Sequence, residues 1–159
     1  HVTKIKFLGY SFYKNSKGEG RLGLHEKSAS RMRERIKALT SRSNGWGNER
    51  RKEALKRYVI GWVNYFKLAD MKKLLERVDM WYRRRLRMVI WKQWKRIRTR
   101  GRNLIRLGVE KHKAWEFANT RKGYWRTAMS PILGTTITNA RLRQAGYIFF
   151  LDYYLKVKA

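Results

Sequence analysis

Cations and indole rings are interleaved between residues 83 and 100, where the chain reads RRRLRMVIWKQWKRIRTR. The planar guanidinium group of arginine grips phosphate oxygens through two parallel hydrogen bonds, and an indole ring can stack on a base or a ribose. Like charges four residues apart on one helix destabilise it by a few tenths of a kcal/mol per pair. A surface of this kind needs a compensating partner, and these residue types indicate nucleic acid.

Helical periodicity separates these residues into two faces. At about 100° per residue, a helix from about Asp70 to about Arg98 places an apolar stripe that includes Leu75 on one arc. The alternative is that Trp91 and Trp94 pack in the core of the protein. For Trp94, the sequence favours core packing and surface exposure equally. The opposite arc carries six residues that we predict to contact nucleic acid: Arg77, Arg84, Arg87, Trp91, Lys95 and Arg98.

The chain lacks the groups that most active sites use. It has no cysteine, its three histidines show no ligand spacing, and its eleven acidic residues are scattered. Glu76 and Asp79 share one helix turn, but the neighbouring Arg77 and Arg83 disfavour a metal there. No phosphate-binding glycine loop or nucleophile motif is present. We therefore expect no catalytic residue, no metal site and no cofactor in this chain.

Charge and composition define the class of partner. Forty lysines and arginines against eleven acids give the 159-residue chain a formal net charge of +29, which favours a polyanion as partner. Hydrophobic residues at 43% are too frequent for a disordered basic tail. RNA is favoured over duplex DNA because no helix-turn-helix or zinc-finger pattern occurs, and the absence of a long apolar run argues against a membrane. Without a signal-peptide pattern, we expect an intracellular location.

Local patterns predict a mainly α protein with a small N-terminal sheet. Segments 4–13 and 21–25, on either side of KNSKGEG, predict a β-hairpin. Apolar residues at helical spacing predict helices over about 28–42, 48–68 and 70–98. Gly61 within the second of these predicts a close helix contact. Shorter helical segments follow, and the last of them is interrupted at Gly146.

Several longer segments, taken in order, resemble one known family. KFLGYSFY is similar to the strand-forming FLG motif at the end of the palm domain of group II intron-encoded reverse transcriptases, also called maturases. LKRYVIGWVNYFKLAD and LLERVDMWYRRRLRMVIWKQWKRIRTR follow in the order of the maturase-specific thumb, or X, domain. ANTRKGYWRTAMSPIL and NARLRQAGYIFFLDYY are similar to the tail of these proteins. The resemblance covers almost the whole chain.

The resemblance implies a domain division and a function. It implies a β-hairpin remnant of the palm edge at 1–25, a three-helix thumb domain at 26–100 and a basic helical C-terminal subdomain at 101–159. It implies that the chain binds group II intron RNA to assist splicing and clamps the RNA template–DNA primer duplex during retrohoming. It also implies that this takes place in a bacterial cytoplasm or an organelle. The residues placed near the primer are Phe7, Leu8 and Gly9. Those placed against nucleic acid are Arg83, Arg84, Arg87, Trp91, Lys95, Arg98 and Arg100.

One departure from the family limits what this chain does alone. The YADD motif of the parent RNA-directed DNA polymerases is absent, so the aspartates that bind Mg²⁺ are expected in a fingers and palm part outside this chain. We therefore expect a thumb and C-terminal fragment that works with that part. Two alternatives stay open: a processivity piece of an assembled polymerase with no splicing role, and a generic basic RNA-binding domain.

Overall fold

The computed structural model describes residues 6–158, with the backbone only for Lys6 and Phe7. The start of the first predicted strand, at residue 4, lies outside the described residues, as does the primer contact predicted for the side chain of Phe7. The part of the chain that the structure describes is mainly helical, with antiparallel strands at its N-terminal end. The predicted fold class is therefore confirmed.

The sheet has three antiparallel strands, hydrogen-bonded in chain order. The second and third form the predicted hairpin, with Tyr10 opposite Leu24. The prediction of one strand over residues 4–13 is wrong, because a tight turn at Leu8 and Gly9 separates the first strand from the second. The strands are β1 (Lys6–Phe7), β2 (Tyr10–Lys14) and β3 (Gly20–Leu24).

The helices follow the sheet without further strands among the described residues. They are α1 (Glu26–Leu39), α2 (Asn48–Phe66), α3 (Lys72–Gln93), α4 (Ile97–Arg106), α5 (Lys111–Ala118), α6 (Tyr124–Thr127), α7 (Pro131–Thr136), α8 (Asn139–Gln144) and α9 (Phe150–Lys158). The predicted interruption at Gly146 is confirmed, because it separates α8 from α9 with a φ of 106°. Within the described range, no helix is both long enough and apolar enough to cross a bilayer.

Gly61 does not mark a helix contact. It is exposed on α2, and a Cβ atom added there would meet no heavy atom within 4 Å. The prediction of a close approach at this glycine is wrong, since the helix tolerates it on a solvent-facing turn.

The third helix stops short of the predicted end at residue 98, and α4 follows as a separate helix. No proline or glycine lies immediately before the break between α3 and α4, so we attribute the position of the break to packing. The ring of Trp91 in α3 lies 5.2 Å from that of Phe117 in α5, while Gly101 of α4 lies under the ring of Trp115 in the same short helix. In an unbroken helix, Trp91 and Gly101 would be about 15 Å apart. That distance is too long for the two residues to contact Phe117 and Trp115, which are only two positions apart in α5. The chain therefore turns between them.

The described residues form two compact units, and the first comprises residues 6–39, 46–80 and 148–158. It contains the sheet, α1, α2, the first part of α3, and α9. Asp79, which is 3% exposed, accepts hydrogen bonds from the backbone N–H groups of Phe150 and Leu151 at 3.0 and 2.9 Å. This carboxylate satisfies donors at the start of α9 that the helix itself leaves unpaired.

The second unit comprises residues 40–45 and 81–147, and so includes the rest of α3 and α4 to α8. Its buried cluster contains Met88, Val89 and Ala128, with Tyr124 and Trp125 packed against it. Because α3 contributes to both units, the units interleave along the chain. The sequential division at residues 25 and 100 stays a prediction.

Candidate nucleic-acid interface

Two of the arginines predicted to contact nucleic acid bind main-chain oxygens of the protein. Arg84 donates through Nε and Nη2 to the carbonyl oxygen of Trp125, at 3.1 and 2.8 Å, and its guanidinium lies 3.7 Å from the centre of that indole ring. Arg87 donates through Nε to the carbonyl oxygen of Ile137 at 2.8 Å and through Nη2 to Oδ1 of Asn139 at 2.9 Å. Burial lowers the pKa of both guanidinium groups. These contacts hold α6 and the start of α8 on α3.

Trp91 lies in the core of the second unit, and the prediction that it is exposed on a basic arc is wrong. Its side chain is 0% exposed, and its ring contacts those of Phe117 and Trp94. Among the described residues, the indole N–H has no hydrogen-bond partner, at a cost of about 1–3 kcal/mol. Burying 150–250 Å² of aromatic surface at about 25 cal/mol per Å² contributes roughly 4–6 kcal/mol. Burial therefore outweighs the unpaired donor.

Arg100 and Arg83 are half-buried. The Arg100 guanidinium lies 4.6 Å from the ring centre of Trp91 and 5.8 Å from that of Tyr124. This cation covers the buried indole from the side of α4. Its contacts are within the protein, as are those of Arg84 and Arg87.

Three of the predicted cations are exposed. Arg77 belongs to the first unit, whereas Lys95 and Arg98 belong to the second. Lys95 precedes α4, and Arg98 lies in its first turn. Lys95 and Arg98 therefore lie at the start of α4 rather than on α3.

Sequence reasoning missed two further members of this surface. Arg102 and Arg106 are exposed and follow Arg98 at i+4 and i+8, so the three align on one side of α4. Arg106 donates to Oδ1 of Asn103 at 3.2 Å. The regular spacing was visible in RTRGRNLIR, but a helix predicted to end at residue 98 concealed it. We call Lys95, Arg98, Arg102 and Arg106 the α4 basic face.

Acidic side chains do not neutralise the α4 basic face. Within the described part of the chain, none of its four cations is within ion-pair distance of a carboxylate. The nearest acid along the chain after it, Glu110, accepts hydrogen bonds from the N–H groups of His112 and Lys113 at 2.9 and 3.2 Å. These bonds cap α5 and lower the Glu110 pKa. The cations of the face are therefore available to an external anion.

The helix that carries most of the α4 basic face is held in position by packing against α5. Gly101 and Leu104 are the buried residues of α4. A Cβ atom at Gly101 would lie 2.4 Å from the Trp115 ring, so only glycine lets α5 approach this closely. The cations therefore project from a helix whose position is set by packing.

Leu8 and Gly9 form the turn between β1 and β2. Both have positive φ, 51° and 87°, which is the pattern of a type I′ hairpin turn. A Cβ atom at Gly9 would lie 2.8 Å from both Phe66 and the Ser28 hydroxyl. Leu8 is 66% exposed at the tip. The turn is therefore presented to solvent, with its backbone fixed by the glycine.

The fold and this surface define a small, mainly helical and strongly basic module with an unneutralised cationic helix face. Residues 29–108, half of the chain, match the family model for the maturase-specific domain of group II introns. The chain therefore belongs to the group II intron maturase-specific domain family. The match includes most of α1 and all of α2, α3 and α4, and it ends just beyond the α4 basic face. No curated protein matches the chain.

Proposed function

We propose that this chain is the RNA-binding maturase and thumb module of a group II intron reverse transcriptase. In this proposal it binds the intron RNA, stabilises the folded shape that splices, and works with a fingers and palm part. The observation that carries the proposal is the α4 basic face, which lies within the family match and has no internal counter-charge among the described residues.

Phosphates are the chemical groups that this surface fits. Arg98, Arg102 and Arg106 repeat every four residues along one side of a helix, a rise of about 6 Å per step. Such contacts position a protein on nucleic acid without reading its bases. Intron selectivity therefore depends on the shape of the folded RNA, which sets where phosphates meet the row of guanidinium groups.

The test replaces the three arginines and measures binding to intron RNA as a function of salt. In Arg98→Gln/Arg102→Gln/Arg106→Gln, we expect weaker binding and a log K against log salt slope that is less steep by about 2 to 3. The matched control is Lys56→Gln/Arg57→Gln/Lys67→Gln, which removes three exposed cations of the first unit. Equal losses in the two triple variants would show only a response to net charge and would contradict the proposal.

Preference for intron RNA separates a maturase from a generic basic RNA-binding domain. In a filter-binding competition at physiological salt, we expect intron RNA to be retained against excess tRNA. Equal competition by tRNA would support the generic domain.

The same module is proposed to clamp the RNA template–DNA primer duplex, with the Leu8–Gly9 turn near the primer. Splicing and primer extension by the full protein, with fingers and palm, separate the two roles. If the arginine-to-glutamine triple variant loses extension but splices normally, the α4 basic face serves polymerase processivity and the maturase assignment of this face is wrong.

A further inference from the structure

The first unit carries an aromatic depression of about 560 Å³ beside the Leu8–Gly9 turn. This volume lies within the range of about 300–1,000 Å³ that is typical of ligand pockets. Its walls come from the turn, from α1 and from one side of α2. The lining residues that matter here are Leu8, Arg31, Tyr58, Trp62, Tyr65 and Phe66.

The aromatic walls are packed against one another and are partly open to solvent. The ring centre of Phe66 lies 4.8 Å from that of Trp62 and 4.6 Å from that of Tyr65. Trp62 is 8% exposed, so it forms the floor, whereas Tyr65 is 55% exposed and forms the rim. The Tyr65 hydroxyl donates to the carbonyl oxygen of Leu8 at 3.2 Å, which ties the rim to the turn.

Tyr58 adds a polar group to this wall. Burial raises the pKa of its phenol to about 12, against the opposing effect of the nearby Arg35 cation. The hydroxyl therefore keeps its proton at neutral pH. Among the described residues it has no hydrogen-bond partner, so it is free to bond to a ligand in the depression.

Cations line a second depression, of about 500 Å³, that shares Arg31 with the first. Lys27, Arg31 and Arg35 recur every four residues on the exposed side of α1. Glu34 lies among them, but none of the three cations is within ion-pair distance of an acid in the described part of the chain. A row of phosphate-binding groups thus begins at the edge of the aromatic depression.

We propose that this composite site holds one unstacked nucleotide of single-stranded RNA, with its base in the aromatic depression and the adjoining phosphates on Lys27, Arg31 and Arg35. Aromatic walls accept any base through its face, and cations beside them fix the backbone, which is the usual combination for single strands. Charge complementarity selects this occupant over an apolar peptide. The site deepens the proposed function, on which it rests, by naming a single-stranded RNA segment as a ligand of the first unit.

The test compares two probes on the unmodified 159-residue chain by fluorescence anisotropy: octauridylate and an octamer of abasic ribose phosphates. Both probes carry the same phosphates, so the α4 basic face binds them equally. We expect octauridylate to bind about tenfold more tightly, the size of one good base–aromatic stack. Equal affinities would overturn the proposal without the use of any variant.

Amino-acid substitutions test whether the preference for octauridylate arises at the proposed site. Tyr58→Leu/Tyr65→Leu is expected to bring the two probes within about twofold of each other, whereas the control Tyr153→Leu keeps the preference. Arg31→Gln is expected to weaken both probes more than the control Arg57→Gln does. An unchanged preference in the double tyrosine variant, with native circular dichroism, would place base binding elsewhere and overturn the site.

The competition between intron RNA and tRNA, run on the same samples, tests the proposed function separately. Loss of intron preference with a retained preference for octauridylate would refute the maturase assignment and leave the nucleotide site standing. Retained intron preference with no difference between the octamers would do the reverse.

Discussion

The guanidinium groups of Arg84 and Arg87 donate to carbonyl oxygens of residues 41 and 50 positions further along the chain. A carbonyl oxygen and an aromatic face both attract a cation without carrying a full negative charge. The repulsion between cations on α3 is therefore offset inside the protein. Arg98 is exposed and has no such partner among the residues that the structure describes.

Replacement of Arg84 should cost stability rather than RNA affinity. Arg84→Met keeps much of the apolar stem but removes two charge-assisted hydrogen bonds, so we expect the free energy of unfolding to fall by about 1.5–3 kcal/mol. A urea titration followed by tryptophan fluorescence measures it. Arg98→Met is the control, with a change within about 0.5 kcal/mol and weaker RNA binding. An unaltered stability in Arg84→Met would show that the contacts with Trp125 do not persist in solution.

Replacement of Leu8 should raise the free energy of unfolding rather than lower it. Leucine with a φ of 51° is strained by roughly 1–2 kcal/mol, and asparagine adopts this conformation more readily. We expect Leu8→Asn to raise the free energy of unfolding by about 0.5–1 kcal/mol. Leu68→Asn is the control, because Leu68 is 65% exposed but lacks the positive φ. Equal effects of both changes in the urea titration would assign the gain to lost surface hydrophobicity instead.

At the scale of elements, the periodicity of the sequence predicted the helices and strands that are determined by residues close together in the chain. The second hairpin strand and the first two helices depend on turn residues and apolar spacing within short segments, and their positions were predicted closely. The turn at Leu8 and Gly9, which divides the first predicted strand, was missed. The end of α3 depends on Trp91 and Gly101 meeting α5, and no local residue reports this contact. The α4 basic face was missed for the same reason, because its spacing has meaning only once α4 is a separate helix.

Two glycines in helices should respond to alanine with opposite signs. At Gly101 an added Cβ atom would lie 2.4 Å from the Trp115 ring, so we expect Gly101→Ala to lower the free energy of unfolding by about 1–3 kcal/mol. At Gly61 nothing lies within 4 Å, so Gly61→Ala should raise it by about 0.4–1 kcal/mol through helix propensity. Thermal melts of both variants test this. Stabilisation by Gly101→Ala would mean that α5 moves away from α4 at little cost.

At the scale of the whole molecule, several of the few acids serve the fold. Asp79 and Glu110 accept hydrogen bonds from the N-terminal amides of α9 and α5. Asp70 accepts one from the Tyr13 hydroxyl at 2.8 Å and lies 3.7 Å from Arg21. None of these three carboxylates pairs with a cation of the α4 basic face. Since eleven acids face forty lysines and arginines, the chain keeps a formal net charge of +29.

Salt should consequently move stability and RNA binding in opposite directions. Raising NaCl from about 0.05 to about 0.5 M shortens the screening length several-fold, which weakens repulsion among the cations of the folded state. We expect the melting temperature of the free chain to rise, with about 2–4 °C for each kcal/mol gained. The same change should weaken RNA binding, with a log–log slope of about −6 to −9 if 8 to 10 phosphates are neutralised. The variant Lys56→Gln/Arg57→Gln/Lys67→Gln should gain less thermal stability from salt, since it starts with less repulsion. A melting temperature that falls with salt would show that attractive ion pairs, and not net repulsion, dominate the surface electrostatics of the free chain.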